Sequence, residues 1–172
     1  MGRFRALLVG IAEYDDPGVR QLPFVTDALS AVGGALESRG YVVEDASGPN
    51  GRVDRTELLI RVSKFIDSAE RGDTLLVFLS GHGAHSDEVD YLIPSNASLA
   101  WPRLADVCVS LSSWAPFLEN TRAGSVVFLV DACREGFDEQ VMGGNGRRGW
   151  SQSKGLEVAS KKIAFEIGRA HV

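Results

Sequence analysis

The stretch TLLVFLSGHG (residues 74–83) decides the fold, because an apolar run ends in a histidine, His82, between two glycines. A second stretch, SVVFLVDACR (residues 125–134), has the same form, and its apolar run leads into Asp131 and Cys133. A third run, RALLVGIA (residues 5–12), is almost entirely apolar. Such runs are typical of strands that are buried on both faces of a sheet.

Amphipathic segments separate these runs and predict helices. One helix is expected to begin near Thr26 or Asp27 and to end before Gly40. A second is expected to follow Asp54, where Glu57 completes a capping box. Apolar strands that alternate with amphipathic helices predict an α/β fold, with a mainly parallel sheet in a three-layer α/β/α sandwich.

The composition narrows the class of protein. The 172 residues suffice for a globular core, and the net charge of -5 gives no support for a nucleic-acid partner, which would need a basic face. Two cysteines are too few for a disulfide framework. We see no metal-ligand set, since His82 and His85 lack further ligands at suitable spacing, and no segment long enough to span a bilayer. These features favour a cytoplasmic protein without membrane or nucleic-acid partners.

His82 and Cys133 each follow a predicted buried strand, so both belong at the carboxyl edge of the sheet. If the two strands are neighbours, the imidazole can take the thiol proton and activate the sulfur as a nucleophile. The backbone N–H groups of Gly83 and Cys133 are then candidates for binding a developing oxyanion. Cys108 has no such setting and is predicted to be structural.

Several ordered motifs resemble the caspase–metacaspase clan of cysteine peptidases. They are Ser80-Gly81-His82-Gly83, then Asp131-Ala132-Cys133-Arg134 about fifty residues later, with the first strand, LPFVTDA (residues 22–28) and Tyr91-Leu92-Ile93-Pro94 around them. The resemblance covers roughly residues 3–136. It implies hydrolysis of peptide bonds in protein or peptide substrates through an acyl-enzyme, with Cys133 attacking and His82 acting as acid and base. It implies no cofactor and leaves calcium activation open, without assigned ligands.

The residues before the cysteine bear on specificity. Asp131 and Asp27 resemble aspartates that metacaspases, which cut after Arg or Lys, have at the matching positions. Animal caspases usually have Gln at the position of Asp131. Two carboxylates suit a guanidinium, so a basic P1 residue is expected. Two features oppose this reading. Arg20 lies where a caspase pocket arginine could align, and Asp27 could instead cap the first helix.

The resemblance also divides the chain. Residues 1–136 correspond to the catalytic, large-subunit-like domain, and 137–165 to a linker and the start of a small-subunit-like region. The rest of the small subunit, or a fused regulatory domain, is expected to be missing. Residues 166–172 match what a sequencing-library adapter encodes in frame, so we expect a non-native tail. Arg147 and Arg148 lie in a glycine-rich stretch that suits self-cleavage by a basic-specific enzyme.

Three alternatives stay open at the level of sequence. A caspase-like peptidase with Asp specificity would share the mechanism. A catalytically silent caspase-like module would bind or scaffold partners, although an intact His82–Cys133 pair favours an enzyme. A different α/β protein, such as a flavodoxin-like domain, is disfavoured because the chain has no phosphate-binding loop or dinucleotide fingerprint.

Overall fold

The computed structural model describes residues 2–86, 89–133 and 162–168, the last seven and Cys133 by their backbone. Seven strands and four α-helices occur in these segments. They are β1 (Phe4–Gly10), α1 (Phe24–Glu37), β2 (Val42–Asp45), α2 (Arg55–Asp67), β3 (Thr74–Ser86), β4 (Val89–Leu92), α3 (Leu104–Val107), β5 (Val109–Ser110), α4 (Ala115–Asn120), β6 (Ser125–Cys133) and β7 (Lys162–Gly168).

The sheet is mixed, and most of its pairings are parallel. Five strands run parallel in the order β2-β1-β3-β6-β7. The far end of β3 pairs antiparallel with β4, which pairs with β5. The sequence therefore predicted the three central strands and the α/β class correctly. It placed the end of β3 too early, because residues 81–82 pair with β6 and residues 83–86 with β4, and neither pairing leaves an apolar signal in the sequence of β3.

Helices cover both faces of the sheet, as a three-layer sandwich requires. Successive residues of a strand point to opposite faces. On one face, Leu8 meets α1 so closely that a Cβ on Gly33 would lie 3.3 Å from the Leu8 Cδ1 atom. On the other face, the guanidinium of Arg5 lies 4.9 Å from the centre of the Phe65 ring of α2. The central strands are buried as a result, which explains their unbroken apolar runs.

The observed helix boundaries show which local sequence signals locate the start of a helix. Asp54 is the N-cap of α2, and its backbone N–H donates to Glu57 Oε2 at 3.3 Å, as the capping-box pattern predicted. Helix α1 begins at Phe24, earlier than predicted, directly after Pro23. Asp27 therefore lies inside the first turn and does not cap the helix. No helix in the described ranges is both long and apolar enough to cross a membrane.

The amino-terminal edge of the sheet is held by one buried carboxylate, Asp73. Its side chain accepts the backbone N–H groups of Arg3 (2.9 Å) and Glu70 (3.1 Å), and the Arg3 guanidinium lies 3.4 Å away. The backbone hydrogen bond from Arg3 is the main cause that holds the pKa of this carboxyl below its usual value, against the opposing effect of burial. Asp73 thereby ties the start of β1 to the start of β3.

Candidate active site

His82 lies within β3, and its backbone is held by a tyrosine from the loop that follows β1. The His82 N–H donates to the Tyr14 hydroxyl oxygen at 2.9 Å, and that hydroxyl donates to the Ile11 carbonyl at 2.9 Å. The two rings lie 5.0 Å apart between centroids. Gly81 permits this approach, since a Cβ there would lie 3.0 Å from the Tyr14 hydroxyl oxygen. Both His82 and Tyr14 are buried.

The imidazole ring of His82 has a defined orientation. Its Nε2 atom lies 2.7 Å from the backbone carbonyl oxygen of Arg20. A carbonyl oxygen only accepts, so Nε2 carries the hydrogen and donates it. In the neutral ring the lone pair then remains on Nδ1, which is the nitrogen available to take a proton. The Arg20 side chain is exposed, and its backbone rather than its guanidinium meets His82.

The loop that supplies Tyr14 and Arg20 is closed by its own side chains. Gln21 accepts the Tyr14 N–H through Oε1 and donates through Nε2 to the Tyr14 carbonyl, both at 2.8 Å. Asp16 accepts the N–H groups of Gly18 (2.9 Å) and Leu99 (2.7 Å), which ties this loop to the segment after β4. The contacts of Tyr14 and Gln21 could not be found from sequence, because neither residue belongs to a recognisable motif.

Cys133 is the last residue of β6, and β6 is the neighbour of β3. In the parallel ladder between them, His82 and Cys133 are direct register partners, as are Ser80 and Asp131. The sequence-based expectation that the two strands are neighbours is thus confirmed. The prediction that His82 lies just beyond its strand is wrong, because β3 continues for four residues past it.

Gly83 has a backbone N–H that faces away from β4. Gly83 and Leu92 are paired in the antiparallel ladder, and the next bond along it runs from the Ile93 N–H to the His82 carbonyl at 3.0 Å. This makes Gly83 and Leu92 a non-hydrogen-bonded pair, in which neither N–H points at the partner strand. The arrangement is compatible with the predicted use of this N–H as an oxyanion donor.

The two carboxylates expected to bind substrate differ in environment. Asp131 is half-buried on β6, and burial raises the pKa of its carboxyl above the usual value. Asp27 is exposed on the first turn of α1. Its neighbour Thr26 lines an open cleft of about 570 Å³ beside the β1 loop. Arg147 and Arg148 lie outside the described residues, as does most of the segment 137–165.

The cleft is bordered by residues that follow β1 and β2. It is lined by Ala12, Glu13, Tyr14, Asp15, Gln21, Pro23, Thr26, Asn50 and Arg52. Arg52 forms a two-pronged ion pair with Asp15, one contact of which measures 2.9 Å, and this pairing is the main cause that lowers the Asp15 pKa. Asp16 also has specific partners, since its carboxylate accepts the backbone N–H groups of Gly18 and Leu99.

The other histidine and cysteine of the described segments have different settings. His85 Nδ1 lies 2.7 Å from Asp90 Oδ1 across the β3–β4 ladder. Cys108 is buried beside α3, in agreement with its predicted structural character. Within residues 2–86 and 89–133, no group of three or more His, Cys, Asp or Glu side chains could hold a metal ion.

The mostly parallel α/β sheet carries a histidine and a cysteine in register at its carboxyl edge, which are the residue types that a thiol hydrolase needs close together. The sequence matches the caspase domain over residues 3–166, so the chain belongs to the caspase-domain family of cysteine peptidases. The resemblance to the caspase–metacaspase clan is therefore confirmed at the level of the family. The closer likeness to metacaspases stays a prediction.

Two solved structures resemble the chain. A protein from Geobacter sulfurreducens superposes with a TM-score of 0.57 at 16% identity, over 78% of this chain and 52% of its own. The Drosophila initiator caspase Dronc has a TM-score of 0.48 at 14% identity, over 73% and 47%. The chain thus spans about half the length of each of these structures. A comparison with curated proteins gave no match.

Proposed function

We propose that this chain is the catalytic portion of a cysteine endopeptidase that uses Cys133 and His82 and cuts after Arg or Lys. The register of β3 and β6 carries the proposal, because it makes the two positions direct neighbours at the carboxyl edge. The hydrogen bond from His82 Nε2 to the Arg20 carbonyl supports it further, since it leaves the ring's basic nitrogen as Nδ1.

The proposed chemistry follows the ordinary course of acyl transfer to a thiol. The His82 imidazole takes the proton of the Cys133 thiol, and the sulfur attacks the carbonyl carbon of the scissile peptide bond. The N–H groups of Gly83 and Cys133 stabilise the oxyanion. His82 then protonates the leaving amine as the C–N bond breaks. Water, deprotonated by the same imidazole, hydrolyses the thioester and restores the thiol.

Asp131 supports a basic P1 residue. A half-buried carboxylate whose pKa is raised by burial is a poorly compensated acid, and a substrate guanidinium would supply the missing positive charge. Asp27 would contribute from the exposed side, where water screens its charge. The Arg20 side chain is exposed, and we assign it no part in the pocket.

Other parts of the proposal concern processing and the completion of the active site. Cleavage at Arg147 or Arg148 would separate the two subunit-like regions, and a small-subunit region or fused regulatory domain would complete the substrate-binding wall. Calcium remains a possible activator without assigned ligands. We expect a cytoplasmic enzyme, because a reducing compartment keeps the two cysteines as thiols.

The test is peptidase activity of the full-length protein on fluorogenic peptides that end in Arg, Lys or Asp. Cys133→Ala and His82→Ala should each lower kcat/KM for the Arg and Lys peptides by about 10³-fold or more. Cys108→Ser is the matched control, since it alters the other thiol of the chain, and should retain cleavage.

Two results would contradict the proposal. Cleavage only after Asp would refute the assignment of the Asp131 pocket while keeping the mechanism. A folded protein that cleaves neither the peptides nor any standard protein substrate would point instead to a silent binding or scaffolding module.

A further inference from the structure

One loop holds the candidate catalytic histidine at two separate atoms. Tyr14, near its start, accepts the His82 backbone N–H at 2.9 Å. Arg20, near its end, accepts the ring Nε2–H at 2.7 Å through its carbonyl. The position of the strand and the tautomer of the ring therefore both depend on how the two ends of this loop are held relative to each other.

The side chain of Gln21 sets that relation. Its amide makes a reciprocal pair of hydrogen bonds with the backbone of Tyr14, an acceptor and a donor each at 2.8 Å, across seven residues. The peptide carbonyl of Arg20 is bonded directly to the nitrogen of Gln21, so the Gln21 contact fixes the carbonyl that meets His82. Gln21 itself is exposed and contributes little to the core.

We propose that Gln21 is a positioning residue that holds the Arg20 carbonyl against His82 Nε2 and so fixes the imidazole tautomer that the chemistry needs. The catalytic part of this inference rests on the proposed function, whereas the tautomer can be measured without any activity. Gln21 acts through the backbone and need not touch the substrate.

Removal of the Gln21 amide should change the state of His82. In Gln21→Met, which keeps the length of the side chain, the Tyr14 N–H and carbonyl lose their partners and the loop ends are free to separate. Without a fixed acceptor at Nε2, the ring populates the tautomer with hydrogen on Nδ1, in which Nδ1 has no lone pair with which to take the thiol proton. A displacement of about 1 Å in a reacting group costs roughly a hundredfold in rate.

The experiment combines nitrogen-15 NMR of the histidine rings with kinetics of the full-length protein. In wild type, His82 should show the Nε2–H tautomer. In Gln21→Met the Nδ1–H form should appear, kcat should fall about ten- to a hundredfold, and KM should change much less. The rate at which iodoacetamide alkylates Cys133, followed by peptide mass spectrometry at neutral pH, should fall as well.

Two further variants separate positioning from simple loss of stability. Gln21→Glu keeps an oxygen for the Tyr14 N–H but loses the donor to its carbonyl, so its effects should lie between wild type and Gln21→Met. Asn120→Leu is the matched control, because it replaces another exposed amide that bonds a backbone carbonyl, that of Pro116 at 2.7 Å. It should leave the His82 spectrum and kcat unchanged.

The outcomes distinguish this inference from the proposed function. An unchanged His82 spectrum and kcat in Gln21→Met would overturn the inference and leave the peptidase assignment intact. A rise in KM with constant kcat would also overturn it, because that result makes Gln21 a substrate contact. If wild type shows no Cys133-dependent cleavage, the proposed function fails, and the His82 spectrum still decides the role of Gln21.

Discussion

The two edges of the sheet each hold an aspartate, and the pKa values of the two carboxyl groups are shifted in opposite directions. At the amino-terminal edge, Asp73 is buried but accepts two backbone N–H groups and faces the Arg3 guanidinium, and its pKa is lowered. At the carboxyl edge, Asp131 is half-buried, and burial raises its pKa. The fold itself compensates the first carboxylate, whereas no contact within the described residues offsets the cost of desolvating the second.

This difference separates a structural acid from a candidate binding acid. A carboxylate that the fold compensates stabilises the folded state, because its charged form has partners there that the unfolded chain lacks. A carboxylate with an uncompensated cost gains most when a cation arrives from outside. The carboxyl edge, which also carries His82 and Cys133, therefore holds the carboxylate that a bound cation would stabilise more, that of Asp131.

The largest effect on stability should come from Asp73→Asn. The amide keeps one acceptor but faces the remaining N–H donors with its own hydrogens, so at neutral pH we expect a loss of about 2–3 kcal/mol in the free energy of unfolding. Urea unfolding followed by circular dichroism measures it. Asp67→Asn, an exposed acid at the end of α2, is the control and should change little.

The pH dependence of the same variant checks the cause. Because the folded pKa of Asp73 is lowered, its contribution is complete above the unfolded pKa of about 4 and is lost as the pH falls through the lower folded value. The gap in stability between wild type and Asp73→Asn should therefore close in acid. A gap that stays constant down to about pH 2 would show that the charge of Asp73 is unimportant.

Much of this arrangement follows from local sequence signals. The apolar runs of β1, β3 and β6 are continuous because helices cover both faces, so the three buried strands and a mainly parallel sheet could be predicted. The expected meeting of His82 and Cys133 at one edge followed from the same rule. The capping box of Asp54 and Glu57 also located the start of α2.

The remainder depends on contacts that no local pattern encodes. The Tyr14 hydroxyl meets a backbone N–H that is 68 residues away in sequence, and the Arg20 carbonyl has no side-chain signature at all. The extension of β3 beyond Ser80 depends on pairing with β6 at residues 81–82 and with β4 at residues 83–86. For the same reason Asp73 gave no signal as the acid that joins β1 and β3, since its donors are backbone groups.

A smaller effect, on activity, should come from Asp131→Asn. Loss of the carboxylate should lower kcat/KM for Arg peptides by about tenfold or more, because a charge-assisted contact is replaced by a neutral one. Asp27→Asn should have a weaker effect, since that side chain is exposed. Equal kcat/KM values in wild type and Asp131→Asn would remove the argument for a basic P1 residue.

Stability should respond to Asp131→Asn with the opposite sign to Asp73→Asn. The folded pKa of Asp131 is raised, so the wild-type protein loses stability as the pH rises through that value, and the amide variant does not. At neutral pH, the variant should be at least as stable as wild type in urea. A clear loss of stability would mean that Asp131 is compensated in the way that Asp73 is.

The smallest effect should come from the ion pair between Asp15 and Arg52, which lies at the same edge as the candidate site. The pairing lowers the Asp15 pKa, as the contacts of Asp73 lower its own, but both partners are exposed. Exposed pairs are screened by water and salt, so Asp15→Asn should leave the midpoint of urea unfolding unchanged within error. The contrary result would be that Asp15→Asn destabilises the protein as much as Asp73→Asn. In that case ion pairing alone would explain the stabilisation by Asp73, and the burial of its carboxylate would not be needed.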